Sequence, residues 1–250
     1  MKNNLSNKEK GTKSGERMKT IMKWIVLIGC CLSLFGVITM ADQGVEKEQK
    51  VLYLTFDDGP SEYTEALLDL LDAHHMKATF FMLGPEMERN PEVVKRIISE
   101  GHAVGVHGIS HEKDTFYCGV LGPVKEMEQA NETLQAIAGQ RTVLARTPYG
   151  SRPYLTQKQE EALDDKNYIL WDWNIDSRDW SYRNAQRTFS HTVKDLKNMS
   201  KEPKVILFHD IKGVLETMKL FISWMEENHY TSEAITPELE PVKLWRKPVK

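Results

Sequence analysis

Val51-Leu-Tyr-Leu-Thr-Phe56, followed at once by Asp57-Asp-Gly-Pro60 and then by an amphipathic stretch over residues 63–74, decides the fold of this chain. The first six residues are almost continuously apolar, as a strand covered on both faces requires, and the next four have the composition of a turn. Leu67, Leu68, Leu70 and Leu71 then recur on one helical face. The unit is strand, polar turn, helix, and it repeats outward along the chain. Strands are predicted over 78–82, 103–106, 142–145, 168–173 and 204–208, alternating with helices over 91–100, 123–137, 156–165, 184–198 and 214–228. Val93, Val94, Ile97 and Ile98 form an apolar stripe, Pro123 suits a first helical turn, and Thr156 with Gln159 has the form of a capping box. Six or seven such units predict a parallel sheet covered by helices, either an open doubly wound sheet or a barrel, with function at the C-terminal ends of the strands. Residues 231–250 carry prolines and charges and read as a last strand followed by a loose tail.

At the other end, residues 1–23 are polar and rich in lysine, and Lys13, Arg17, Lys19 and Lys23 lead into residues 24–41, which hold no charge. About 18 apolar or small residues cover roughly 27 Å as a helix, close to the thickness of a bilayer core. The upstream cations predict a cytoplasmic N-terminus and place everything after Asp42 outside. An uncleaved signal anchor ranks first, then a secretory signal cut after Ala41. A lipoprotein signal before Cys30 ranks last, because the residues after Cys31 stay apolar. The expected organisation is a basic tail over 1–23, a membrane-targeting helix over 24–41, a linker over 42–50 and one folded domain over 51–250. That domain would lie on the outer face of the cytoplasmic membrane or be secreted to the cell wall.

Composition narrows the classes further. The chain has 250 residues and a formal net charge of −3, so nothing points to nucleic acid. Its three cysteines, Cys30, Cys31 and Cys118, are too few and too badly spaced for a disulfide framework or a cysteine-built zinc site. Cys118 reads as a partly buried small residue. Oligomeric state leaves no signature in the sequence.

The most polar short clusters each follow one of the apolar strands: Asp57-Asp58-Gly-Pro, His107-Gly-Ile-Ser-His111, Arg146-Thr-Pro-Tyr149-Gly, Asp176-Ser-Arg-Asp179-Trp180 and His209-Asp210. In a parallel α/β fold all of them converge at one rim. Taken singly, each has a plainer reading, as a turn, a surface cation, a core aromatic or a helix start. Together, two histidines and a carboxylate supply the three protein ligands of an open catalytic metal site, whereas a structural site would want a fourth.

Thr-Phe-Asp57-Asp58-Gly, His107-x-x-x-His111, Arg146-x-Pro-Tyr149-Gly, Asp176-x-x-Asp179-Trp180 and Leu207-x-His209 stand in the order of the five motifs of the polysaccharide deacetylase (NodB homology) family, carbohydrate esterase family 4, which the chain resembles from Val51 to about Asn228. It departs from the usual pattern at Gly108 and Thr147, and neither change removes a functional side chain. The resemblance implies a distorted (β/α) barrel of about seven parallel strands. It implies that Asp58, His107 and His111 hold a divalent metal, zinc first, then cobalt, nickel or manganese. It also assigns Asp57 as the base, Arg146 as the group that keeps it ionised, and His209 as the acid, supported by Asp179. Tyr149 through its backbone N–H, Trp180 and Leu207 would contact the substrate. The implied reaction is hydrolysis of the N-acetyl group of N-acetylglucosamine in a cell-surface polysaccharide, peptidoglycan first. An O-acetyl esterase and a non-catalytic wall-binding module are the competing readings.

Overall fold

The computed structural model describes residues 50–244. The expectations for the basic tail, for the apolar run 24–41 and for nearly all of the linker lie outside them. Among the described residues no helix is long and apolar enough to cross a membrane.

The strands are β1 (Lys50–Asp57), β2 (Ala78–Met82), β3 (Ala103–Val106), β4 (Leu144–Ala145), β5 (Ile169–Leu170), β6 (Ile175–Asp176), β7 (Val205–His209) and β8 (Tyr230–Ser232). They pair in the order β5-β4-β3-β2-β1-β7-β6, with β8 beside the start of β1. Every pairing is parallel. The helices are α1 (Thr64–Ala73), α2 (Gly84–Arg89), α3 (Pro91–Ser99), α4 (Lys113–Phe116), α5 (Gly122–Ala138), α6 (Gln157–Asp164), α7 (Asp179–Tyr182), α8 (Ala185–Asn198) and α9 (Val214–Glu227). The parallel α/β arrangement is the expected one. The sheet curls but carries no ladder between β5 and β6. Instead the chain between them spans the seam, with Trp171 N–H donating to the Ala145 carbonyl and Asn174 N–H to that of Val205.

Alternation along β1 separates two cores. Leu52, Leu54 and Phe56 face outward into the main core, where they meet Leu67, Leu68 and Leu71 of α1 and Phe221 of α9. Tyr53 faces inward, toward a smaller cluster of Phe81, Leu144, Trp171, Val205 and Ile235. Thr55 and Asp57 share that inner face and are buried. Polar side chains at the top of an otherwise apolar barrel interior are where chemistry sits in this architecture.

Helix ends follow local chemistry. Both halves of the Thr156–Gln159 capping box form at α6, Asn184 caps α8 through the Arg187 N–H, and Gly139 ends α5 in the left-handed region at φ 70°. Several expectations need correction. β4 starts at Leu144 rather than Thr142, because Thr142 spends its N–H on the Asn131 side chain and its hydroxyl on the Val104 carbonyl. The strand expected over 168–173 ends at Leu170, because the carbonyls of Trp171 and Asp172 turn inward to the Arg146 guanidinium. The short helices α2, α4 and α7 were not anticipated. Cys118 is exposed rather than partly buried. After β8 the chain is not loose as far as Leu244. Ile235 is buried in the inner core, Leu239 and Val242 pack against it, and the Val242 carbonyl accepts from Asp172 N–H.

Candidate active site

β1 and β7 run side by side and end in register, with Asp57 opposite His209. The residue after β1, Asp58, takes φ 73°, a left-handed conformation that an aspartate tolerates better than most side chains. It brings a second carboxylate to the rim. His107 follows β3 directly, with its N–H bonded to the Met82 carbonyl of β2. His111 is reached through a loop, not a helix, that starts at Gly108 with φ 92° and ends at His111 with φ 49°.

These turns place Asp58 Oδ1 3.5 Å from His107 Nε2 and 3.4 Å from His111 Nε2. One ligand atom from each of the three residues lies within 4.8 Å of the other two. His107 Nδ1 donates to the Arg146 carbonyl at 2.7 Å. A carbonyl only accepts, so this bond fixes the proton on Nδ1 and leaves Nε2 with its lone pair toward Asp58. Burial holds the imidazole neutral, with its pKa lowered to about 3. Asp58 Oδ1 is buried and has no hydrogen-bond partner. A buried carboxyl oxygen without a hydrogen-bond partner beside two imidazole nitrogens is costly by itself and fits a divalent cation well.

Arg146 sits beside this cluster, fully buried at 0% exposure. Its Nη1 donates to Asp57 Oδ1 at 2.8 Å and to Thr55 Oγ1 at 2.6 Å, Nε to the Trp171 carbonyl and Nη2 to that of Asp172. The guanidinium lies 4.2 Å from the centre of the Phe81 ring. Burial raises the Asp57 pKa, while the charge and hydrogen bond of Arg146 pull against it. Asp57 Oδ2 stands 3.8 Å from His107 Nε2, so this carboxylate borders the cluster without joining it.

On the other side, His209 Nδ1 lies 2.8 Å from Asp179 Oδ1, and the His209 backbone N–H donates to Asp179 Oδ2 at 2.7 Å. Burial, the largest influence, works against the imidazolium. The hydrogen bond and charge of Asp179, with Asp57 and Asp58 behind them, outweigh it and raise the pKa to about 9. Tyr149, 49% exposed, is held at φ 63° by its hydroxyl on the His111 carbonyl. Among the described residues no protein acceptor takes its N–H. Trp180, 52% exposed, is not a core residue. Leu207 is buried on β7 and, two residues before His209, shares its face. All ten expected site residues thus come from the C-terminal rim of one sheet, seven of them grouped as a three-ligand cluster, a buried Asp–Arg pair and a His–Asp pair, with Tyr149, Trp180 and Leu207 beside them.

Three carboxylates that had no assigned role hold this frame. Glu126 on α5 is buried, and its Oε2 accepts from Ile109 N–H at 2.7 Å and Ser110 N–H at 2.8 Å, inside the loop between His107 and His111. Asp210 accepts from Ser61 N–H, Ser61 hydroxyl and Thr64 hydroxyl, fixing the turn that follows Asp58. Asp172 accepts from Ser151 N–H and hydroxyl and from Leu244 N–H, joining the Tyr149 turn to the C-terminal segment. A sequence signal existed for two of them. Glu126 shares a helical stripe with Ala130 and Leu134, and Asp172 interrupts an apolar strand.

A curled parallel sheet carrying an acid–base pair and a cation-ready cluster at its C-terminal rim defines a hydrolase of the α/β class. Residues 44–167 match the family model described as polysaccharide deacetylase. YheN of Bacillus subtilis (strain 168) is 44% identical over 197 residues, covering 77% of this chain and 70% of that protein. A peptidoglycan-N-acetylglucosamine deacetylase of Bacillus cereus is 37% identical over 216 residues, covering 80% and 74%. The crystal structure of the polysaccharide deacetylase Bc1974 from Bacillus cereus superposes with a TM-score of 0.72 at 35% identity, covering 79% of this chain and 98% of that one. The chain belongs to the polysaccharide deacetylase family, carbohydrate esterase family 4, and is an enzyme of the hydrolase class.

Proposed function

We propose that this protein hydrolyses the N-acetyl group of N-acetylglucosamine residues in peptidoglycan, releasing acetate, with a divalent metal held by Asp58, His107 and His111. The carrying observation is the unpartnered Asp58 Oδ1 facing two imidazole nitrogens, with Asp57 on one side and His209 on the other. The similarity to a peptidoglycan-N-acetylglucosamine deacetylase supports the substrate. Zinc suits two nitrogens and one oxygen, ahead of cobalt, nickel and manganese. The lysine-bearing start and the uncharged run over 24–41 support a site of action on the outer face of the cell membrane.

When bound, the metal supplies Lewis acidity at the acetyl carbonyl and makes water a stronger nucleophile. Asp57 takes the proton of the attacking water. Arg146 keeps that carboxylate ionised at the start and fixes one of its oxygens, leaving Oδ2 for the proton. As the new carbon–oxygen bond forms, the free N–H of Tyr149 donates to the carbonyl oxygen that gains charge. His209, protonated at neutral pH and oriented by Asp179, gives its proton to the nitrogen as the carbon–nitrogen bond breaks. Acetate and a free amine leave. Leu207 and Trp180 form the apolar wall for the acetyl methyl and the sugar face.

Acetate release from purified peptidoglycan, with and without a chelator, tests this directly. Release that stops on chelation and returns with added zinc is the expected result. Release that ignores the chelator, or that occurs only from O-acetylated glycans, would overturn it.

A further inference from the structure

Beside the His209–Asp179 pair lies a second concavity of about 710 Å³, inside the range of roughly 300–1,000 Å³ usual for small-ligand sites. It opens on the same rim. Its walls come from the loop after β1 at Tyr63, the end of α7 at Arg183 and the turn after β7 from Ile211 to Gly213. Backbone links tie those walls to the reacting groups, since Ile211 N–H donates to the His209 carbonyl and Arg183 N–H to that of Asp179.

The lining combines two chemistries. Tyr63, Ile211 and Leu215 give an aromatic and aliphatic surface suited to a pyranose face. Arg183 and Lys212 are both exposed, and neither has an acidic partner among the described residues. Glu216 is the one acid in the lining, so two cations against one anion leave the concavity net positive. Arg183 is also held at φ 45°, a conformation that costs a non-glycine residue free energy and that its bond to Asp179 maintains. None of the described family features uses this arginine or this lysine.

Building on the proposed deacetylase function, we infer that this concavity is a subsite for a carboxylate-bearing sugar next to the N-acetylated one, with Arg183 and Lys212 meeting the carboxylate. A glycan alternating N-acetylglucosamine with N-acetylmuramic acid offers such a group on the neighbouring sugar where no stem peptide is amide-linked to the lactyl carboxyl, and a plain N-acetylglucosamine polymer does not. The subsite therefore gives the enzyme a reason to prefer peptide-free strands of such a glycan over both peptide-bearing strands and a neutral polymer.

Equilibrium binding of an N-acetylglucosamine–N-acetylmuramic acid tetrasaccharide to the full chain tests this, using the free carboxylate and its carboxamide, with acetate release followed in the same samples. The parent should bind the carboxylate form about tenfold more tightly than the amide. That preference should fall to about threefold in Arg183→Gln or Lys212→Gln and vanish in the double variant. Lys166→Gln, which removes one positive charge from the turn before β5, should leave it intact. A parent without preference, a double variant that keeps it, or an equal loss in Lys166→Gln overturns the subsite. Carboxylate-dependent binding without acetate release would instead uphold the subsite and sink the deacetylase reading, so the two failures are distinct.

Discussion

At Glu126, a buried carboxylate accepts two backbone N–H groups through a single oxygen. Glu126→Gln can keep both bonds with its amide oxygen, whereas Glu126→Ala strands both donors in the loop between His107 and His111. Partners of this kind, one shell removed from a metal, typically carry about 10–100-fold in metal affinity. Alanine is expected to weaken zinc binding by that much and glutamine by far less, as measured by competition with a chromogenic chelator. Equal losses in both variants would show that charge rather than geometry matters. His209 gives a second test, through pH. Its acid role needs the imidazolium, so kcat/KM should fall on the alkaline side as the pH passes about 9. Asp57 must be ionised, so the acid limb should lie above the ordinary carboxylate range, in the direction that burial shifts it. Asp179→Asn removes the partner that raises His209, and the alkaline limb should move down by about 1–3 pH units. An alkaline limb that stays in place would assign it to another group. Residue identity was readable from sequence here, but environment was not. Arg146 could equally have been a surface cation, and only the fold surrounds it with Asp57, Thr55 and the carbonyls of Trp171 and Asp172.

Among the elements, the strands and long helices were legible because their apolar periodicity is strong, and the capping box at Thr156 formed as the sequence reads. The misjudged strand ends share one cause, which is polar side chains capturing backbone groups that a ladder would otherwise use. Thr142 shortens β4 in this way, and Arg146 ends β5 early. The C-terminal segment was misjudged for a related reason. Its prolines and charges suit a tail, yet Ile235, Leu239 and Val242 fill the inner core and Leu244 N–H closes on Asp172. Ile235→Ala should therefore cost about 2–5 kcal/mol in urea unfolding, as a buried position does and a tail position does not. A loss below about 0.5 kcal/mol would return the segment to the surface.

Across the described part of the molecule, one parallel sheet delivers residues more than 150 positions apart to a single rim, since Asp57 and His209 end neighbouring strands in register. That convergence could be read from the order of the clusters alone. The division of labour between Asp57 and Asp58 could not, because two adjacent aspartates look alike until β1 ends between them. Asp57 then points inward to Arg146, and the left-handed turn at Asp58 swings its carboxylate to the histidines. Metal content and acetate release, measured together on the parent, Asp57→Asn and Asp58→Asn, address this division most directly. Asp57→Asn should keep about one equivalent of zinc while turnover drops by about 10²–10⁴-fold, and Asp58→Asn should lose metal and turnover together. An Asp57→Asn protein as active as the parent, or an Asp58→Asn protein that retains its full equivalent, would contradict it.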